Sequence, residues 1–146
     1  MPTNKHRTQR AFSLLELLIV IAILGLLAAI VAPNLMGAAD KAKRDTTCLK
    51  MSEVKKALEM FKLDNGVFPE TEEGLQALLQ NPDSDKYPGY SPTPYMKQIP
   101  KDAWSTPFVY LNNGDDVELI SYGADRKEGG SGNGIDIKLS QCEKKH

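Results

Sequence analysis

The sequence has very few of the side chains that enzymes use for acid–base or nucleophilic chemistry. Histidine occurs only twice in 146 residues, as His6 and His146 at the two ends of the chain, where ordered geometry is uncommon. Cysteine also occurs only twice, as Cys48 and Cys142, so a thiol nucleophile has no central histidine to activate it and zinc lacks a full ligand set. There is no Gly-x-Ser-x-Gly elbow and no phosphate-binding loop. We therefore expect a protein that is not an enzyme.

Charge is nearly balanced over the chain but is missing from one segment. The 18 Lys and Arg against 19 Asp and Glu give a net charge of −1, and residues 17–32 contain no charged side chain. The first eleven residues carry three basic side chains and no acid, so this segment has a charge of +3 and the rest of the chain −4. A negative remainder opposes binding to phosphate backbones, so we expect no nucleic-acid partner.

The uncharged segment has the length of a membrane span. Residues 12–32, which as a helix rise about 1.5 Å each, reach roughly the 30 Å thickness of the hydrocarbon core of a bilayer. Basic residues directly before an apolar run indicate that this end stays in the cytoplasm. The pattern predicts a single-pass protein of the bacterial inner membrane with a cytoplasmic N-terminus and a periplasmic C-terminal domain.

Glu16 is the one ionisable residue within the predicted span. A charged group in that environment costs about 2.5 to 3.5 kcal/mol on insertion scales, which favours a function and a cationic or hydrogen-bond-donating partner. The alternative is an ordinary signal peptide cut after the small residues Gly37, Ala38 and Ala39, which would release a soluble periplasmic binding module. A signal peptide that is discarded has no use for Glu16.

The residues around Glu16 resemble the processing site of type IV pilin-like proteins. The matching residues are Arg10-Ala11-Phe12-Ser13-Leu14-Leu15-Glu16-Leu17. The resemblance implies that a prepilin peptidase cuts between Ala11 and Phe12 and methylates the new amino group, and that Glu16 attracts the positive N-terminus of a neighbouring subunit during assembly. In low dielectric, pairing of the Glu16 carboxylate with that N-terminus offsets the cost of burying both charges. Most relatives have Gly at the position of Ala11.

A long helix is predicted from the membrane segment to about Asp64, although Pro33 and Gly37 interrupt it. Proline removes a helical hydrogen bond, so a kink or local melting is expected within residues 29–37. The alternative is that Pro33 ends the membrane helix. Continuation is favoured because apolar or weakly polar side chains recur at helical spacing beyond it: Thr47, Met51, Val54, Leu58 and Phe61. Gly66 suits the left-handed cap that ends the helix.

The remaining residues predict a small α+β domain packed on this amphipathic helix. Thr71 is expected to cap a short second helix that ends before Asn81 and Pro82. Six prolines in residues 82–107 then predict an ordered loop without regular structure. Residues 108–111, 117–122 and 135–139 alternate or are rich in β-branched side chains, which predicts an antiparallel three-stranded meander.

In this order the pieces resemble one branch of the pilin-like proteins, the major pseudopilins of type II secretion systems. The matching segments are residues 33–37, 62–69, 71–79, 100–104 and 121–125, with Ser105 standing where relatives commonly have Gly. The resemblance implies the pilin-like fold, a leader at residues 1–11, an assembly helix at 12–32 and a periplasmic domain at 33–146. It implies a homo-oligomeric helical filament, the pseudopilus, with minor pseudopilins, an inner-membrane assembly platform and an outer-membrane secretin as partners. A type IV pilin used for adhesion or motility is the alternative.

A calcium site is expected within residues 122–136, which contain five glycines. Composition alone leaves a flexible polar connection open, but oxygen ligands on a tightly wound loop suit Ca²⁺. The resemblance implies that Asp125 and Asp136 occupy acidic ligand positions, with help from Ser131, Glu128 or the carbonyl of Tyr122. Many relatives have a further acid where this chain has Gly134 and Ile135.

Cys48 and Cys142 are 94 positions apart. In the oxidising periplasm a disulfide between the long helix and the C-terminal segment is expected, and the alternative is a buried Cys48 with a free Cys142.

Overall fold

One long helix, α1 (Leu14–Asn65), dominates this computed structural model, which describes residues 12–144 and, of Asn34, only the backbone. The helix continues through Pro33, as the sequence predicts, and residues 29–37 remain helical, so the expected local melting is wrong. A bend at Pro33 stays a prediction. The helix contributes to two compact units, one up to Ala39 and one from Asp40, which are described in turn.

In the first unit α1 exposes nearly every apolar side chain. The helix is long and apolar enough to cross a membrane, and the span that meets this condition has none of its residues buried. A large continuous apolar surface marks contact with a membrane or with other proteins. Length and composition therefore agree with the predicted membrane segment.

In the second unit α1 supplies one wall of the hydrophobic core. The predicted stripe is buried along its whole length: Thr47, Met51, Val54, Leu58 and Phe61. It packs against apolar side chains of the loops and the sheet, among them Leu78, Tyr87 and Leu119. The helix ends as predicted, because Gly66 takes a φ of 81° and its N–H donates to the carbonyl of Lys62 at 2.7 Å.

The three predicted strands form one antiparallel sheet in the order β1-β2-β3. The strands are β1 (Val109–Asn112), β2 (Val117–Ser121) and β3 (Ile137–Lys138). Val109 pairs with Ile120 across the first hairpin, and Ser121 pairs with Ile137 across the second pair of strands. A short helix, α2 (Leu139–Glu143), follows β3 directly and was not predicted. The sheet and α2 complete the predicted α+β fold.

The second predicted helix is shorter than expected and has a different start. It is a 3₁₀ helix, Gly74–Leu78, and no side chain caps its first turn. Thr71 does not cap it, because its hydroxyl oxygen accepts a hydrogen bond from the N–H of Asn112 in β1 at 3.0 Å. The predicted cap is therefore wrong. This hydrogen bond holds the segment before the 3₁₀ helix against strand β1.

The proline-rich segment is irregular, as predicted, and is fixed by its aromatic side chains. The rings of Tyr87, Tyr90 and Tyr95 lie 5.0, 5.8 and 5.4 Å from the ring of Phe61. Aromatic pairs at these separations stabilise the fold by more than the area they bury accounts for. The loop is thus packed onto α1.

Buried Asp102 organises the turn that follows this loop. Its carboxylate accepts hydrogen bonds from the backbone of Trp104 and Thr106 and from the hydroxyl of Ser121 in β2 at 2.6 Å. Ser105 has a φ of 64°, the left-handed region that glycine adopts more readily. The turn therefore adopts this conformation with Ser at this position.

Candidate functional site

The first turn of α1 carries Glu16, the predicted assembly residue, and the predicted processing residue Phe12 lies just before the helix. Ala11 and the leader at residues 1–11 lie outside the described residues. Phe12 and Glu16 are exposed, and the N–H of Glu16 donates to the hydroxyl of Ser13 at 3.1 Å. No role was predicted for Ser13, although its spacing to Glu16 is that of a capping box.

Glu16 is thus placed three residues after the cap of its helix. Unpaired N–H groups at a helix N-terminus carry partial positive charge, which favours a carboxylate there. The Ser13 contact uses the backbone of Glu16 and not its carboxylate. The exposed carboxylate can therefore attract an ammonium group of another chain while the helix stays capped.

The loop of residues 122–136 is built from two 3₁₀ turns, Gly123–Asp125 and Gly132–Gly134. Asp125 accepts a hydrogen bond from the N–H of Lys127 at 3.0 Å, and Asp136 accepts one from the N–H of Gly129 at 3.0 Å. The Gly129 contact therefore folds the middle of the loop back onto Asp136.

Two observations make this loop suitable for a cation. Oδ1 of Asp136 is buried and has no hydrogen-bond partner among the described residues. Oδ2 of Asp125 lies so close to Gly134 and Gly130 that a Cβ at those positions would be 2.6 and 2.7 Å from it. The buried oxygen of Asp136 requires a partner, and only glycine at positions 130 and 134 leaves room for the Asp125 carboxylate. Carboxylate oxygens in a glycine-lined loop fit a hard cation such as Ca²⁺.

The other predicted ligands each precede one of the two turns. Half-buried Tyr122 precedes the first turn, and exposed Ser131 precedes the second. The carbonyl of Ser131 already accepts the N–H of Gly134 at 3.1 Å. Within residues 12–144, no group of three or more His, Cys, Asp or Glu side chains is arranged to hold a metal. A cation here would need backbone carbonyls or water in addition to Asp125 and Asp136.

The predicted cysteines meet where α2 packs on α1. Cys48 and Cys142 form a disulfide with their Cα atoms 5.6 Å apart. The Lys55 ammonium donates to the carboxylate of neighbouring Glu143 at 2.6 Å. This hydrogen bond raises the pKa of Lys55 above its ordinary value. The ion pair and the disulfide both hold the C-terminal helix to the long helix.

A capped apolar helix with one carboxylate in its first turn, joined to a small α+β domain, defines a pilin-like protein. The chain matches the family described as "Type II secretion system (T2SS), protein G" over residues 34–140, and the prokaryotic N-terminal methylation motif over residues 6–32. It belongs to that type II secretion protein G family, whose members are the major pseudopilins.

Named relatives cover nearly the whole chain. Type II secretion system core protein G of Vibrio cholerae is 42% identical over 136 residues, which are 92% of this chain and 93% of that protein. The core protein G of Pseudomonas aeruginosa is 40% identical over 136 residues, 91% of this chain and 96% of the relative. The crystal structure of the major pseudopilin of enterohaemorrhagic Escherichia coli matches with a TM-score of 0.62 at 34% identity. The match covers 73% of this chain and 93% of the chain in that crystal structure.

Proposed function

We propose that this major pseudopilin polymerises through its N-terminal helix into the periplasmic pseudopilus of a type II secretion system, and that the filament helps to export folded proteins through the outer membrane. The observation that carries the proposal is the exposed apolar surface of α1 with Glu16 in its first turn. In a filament of identical subunits, the same helix face of every copy is covered by its neighbours.

The proposed assembly begins with the leader. Prepilin peptidase removes residues 1–11 at the cytoplasmic side of the inner membrane and methylates the amino group of Phe12. The new ammonium group is then one of the few cations that can meet the Glu16 carboxylate in low dielectric, where such a pair interacts far more strongly than in water. Pairing between copies would set the register in which each subunit enters the filament.

The proposed partners follow from this role. The inner-membrane platform would add subunits to the filament, minor pseudopilins would share the same helix packing, and the secretin would form the exit channel. The chain itself would transmit force and catalyse no reaction. In support of this, both thiols are joined in the disulfide.

We also propose that the loop of residues 122–136 binds Ca²⁺. Asp125 and Asp136 would hold the ion, and the support is the buried, unpartnered Oδ1 of Asp136 together with the two glycines, Gly130 and Gly134, that make room for Oδ2 of Asp125. Two carboxylates repel each other without a cation, and glycines lose much conformational freedom when ordered. The ion would therefore stabilise the loop and, through β3, the end of the domain.

A complementation experiment tests the secretion role. Cells that lack the chain should accumulate exported proteins in the periplasm, and the wild-type gene should restore their release. Surface motility and adhesion should be unchanged in the same cells. Normal secretion with lost motility would instead identify a type IV pilin, and normal behaviour in both assays would overturn both roles.

A further inference from the structure

The proposed calcium loop is fastened to the start of the domain's part of α1 by two contacts. The side-chain amide of Asn133 donates to the carboxylate of Asp40, 93 residues earlier in the chain. The guanidinium of Arg44 donates to the carbonyl of Ile135 at 3.3 Å, across 91 residues. Asp40 and Arg44 are four residues apart and so lie on the same face of the helix.

Both contacts hold the segment that lies between the two proposed ligands. Asn133 and Ile135 flank Gly134, whose backbone lies against Oδ2 of Asp125, and Ile135 directly precedes Asp136. Asn133 itself is exposed and Asp40 is half-buried, so neither side chain fills the core. Their contact fixes the position of the loop backbone and adds no side-chain packing to the core.

Such an anchor affects binding through the cost of ordering the loop. A glycine-rich loop that is not anchored must lose its freedom when the ion binds, whereas an anchored loop has lost part of it already. The effect is also reciprocal, because a contact that strengthens ion binding is itself strengthened by the ion to the same extent. Ion binding would then also reduce the conformational freedom of helix residues 40–44.

We propose that Asp40 is a positioning residue for the calcium site. Through Asn133 it holds residues 133–136 in the binding conformation, and bound calcium in turn fixes residues 40–44 of α1. This inference rests on the proposed calcium site. Asp40 is not proposed as a ligand, since its carboxylate accepts the hydrogen bond from the Asn133 amide.

The alternative role for Asp40 is a general negative charge that attracts Ca²⁺ from a distance, and two substitutions separate the roles. Asp40→Asn removes the charge but keeps an oxygen that can accept the Asn133 hydrogen bond. Asp40→Ala removes both. Asp45→Ala is the matched control, because Asp45 is an exposed acid on the same helix and makes no hydrogen bond to the loop among the described residues.

Calcium affinity should be measured by calorimetric titration of the full chain, stripped with chelator and held in detergent. Asp40→Ala and Asn133→Ala should each weaken binding by about five-fold or more, and the double variant should be no worse than either. Asp40→Asn and Asp45→Ala should bind like wild type. Equal weakening by Asp40→Asn and Asp40→Ala would assign a charge effect and overturn the positioning role.

Hydrogen exchange gives a readout that a merely structural contact would not move. Calcium should slow amide exchange in residues 40–47 of the wild type, and this protection should be lost in Asp40→Ala while the calcium-free variant exchanges like calcium-free wild type. If the wild type binds calcium but Asp40→Ala binds equally well, only the positioning role is wrong. If the wild type shows no binding heat, the calcium site itself is wrong and the inference falls with it.

Discussion

Cys48 in α1 and Cys142 in α2 are bonded to each other although 94 residues separate them in the chain. Everything between them, including the sheet and the proposed calcium loop, therefore lies inside one covalent loop. Cross-linking a loop of this size lowers the entropy of the unfolded chain, by an amount worth about 4.7 kcal/mol in the simplest model. The C-terminal helix, only five residues long, owes much of its position to this bond.

The double variant Cys48→Ser/Cys142→Ser should be less stable than wild type by up to about 4 kcal/mol, since the unfolded chain regains its freedom. Denaturant unfolding of the full chain in detergent measures the difference. Lys55→Met, which removes the neighbouring ion pair but not the bond, is the control and should cost no more than about 1 kcal/mol. Two thiols that react with an alkylating agent in unreduced wild-type protein would contradict the bond.

Glu16→Gln and Glu16→Ala should remain inserted in the membrane and processed, because both make the span more apolar, yet they should form few or no filaments. Electron microscopy and cross-linking of cells that overproduce the chain measure assembly. Ser13→Ala is the control, since it removes the helix cap at a cost of about 1 kcal/mol and leaves the carboxylate in place. Normal filaments from Glu16→Ala would show that the carboxylate has no role in assembly.

Secondary structure and its buried face were predictable wherever the residue pattern of a single segment determines them. The stripe from Thr47 to Phe61 predicted the buried face of α1, and alternation predicted the three strands. What the sequence did not predict depends on distant partners. Thr71 binds Asn112 of β1, and α2 is held by the disulfide and by Ser140, whose N–H and hydroxyl donate to Glu118.

The calcium loop was predictable in composition but not in geometry. Glycine density and two acids indicated the segment, whereas the unpartnered oxygen of Asp136 becomes visible only in the fold. The Asn133–Asp40 contact joins residues 93 positions apart, and neither residue belongs to a local pattern that indicates it. The loop ligands themselves remain a prediction.

Chelation should lower the melting temperature of the wild-type chain, and calcium should restore it, because an ion that binds only the folded state stabilises it by about 2.7 kcal/mol at a hundredfold excess over its Kd. Asp125→Ala should abolish this response. Glu128→Ala removes the same charge from an exposed position of the loop and should weaken the response less. Magnesium should restore little stability, since it requires tight octahedral geometry. An unchanged melting temperature at millimolar calcium would contradict the site.

The domain should lose part of its stability in acid through Glu73. Burial raises the pKa of this carboxyl, but a hydrogen bond from the Tyr87 hydroxyl, aided by the backbone of Glu70 and by Lys86, outweighs burial, so the pKa lies below the ordinary value of 4.5. A lowered pKa stabilises the fold above pH 4.5, and this contribution disappears as the pH falls through the folded-state pKa.

Glu73→Gln should therefore be less stable than wild type by about 1 to 2 kcal/mol at pH 7, and the difference should shrink as the pH falls below 4.5. Urea unfolding at a series of pH values measures it. Exposed Glu72→Gln is the control and should show a smaller difference at neutral pH. A Glu73→Gln difference that does not change between neutral and acidic pH would show that the carboxylate charge is not the cause.

Mass spectrometry of the N-terminal peptide, taken from filaments sheared from cells that overproduce the chain, tests assembly through a processed N-terminus most directly. A pseudopilin cut after Ala11 should give a peptide that begins at Phe12 and carries a methyl group on its amino nitrogen. A mature chain that begins at Asp40, as after an ordinary signal peptidase, would have lost Glu16 and the whole apolar helix surface and would contradict assembly through that helix.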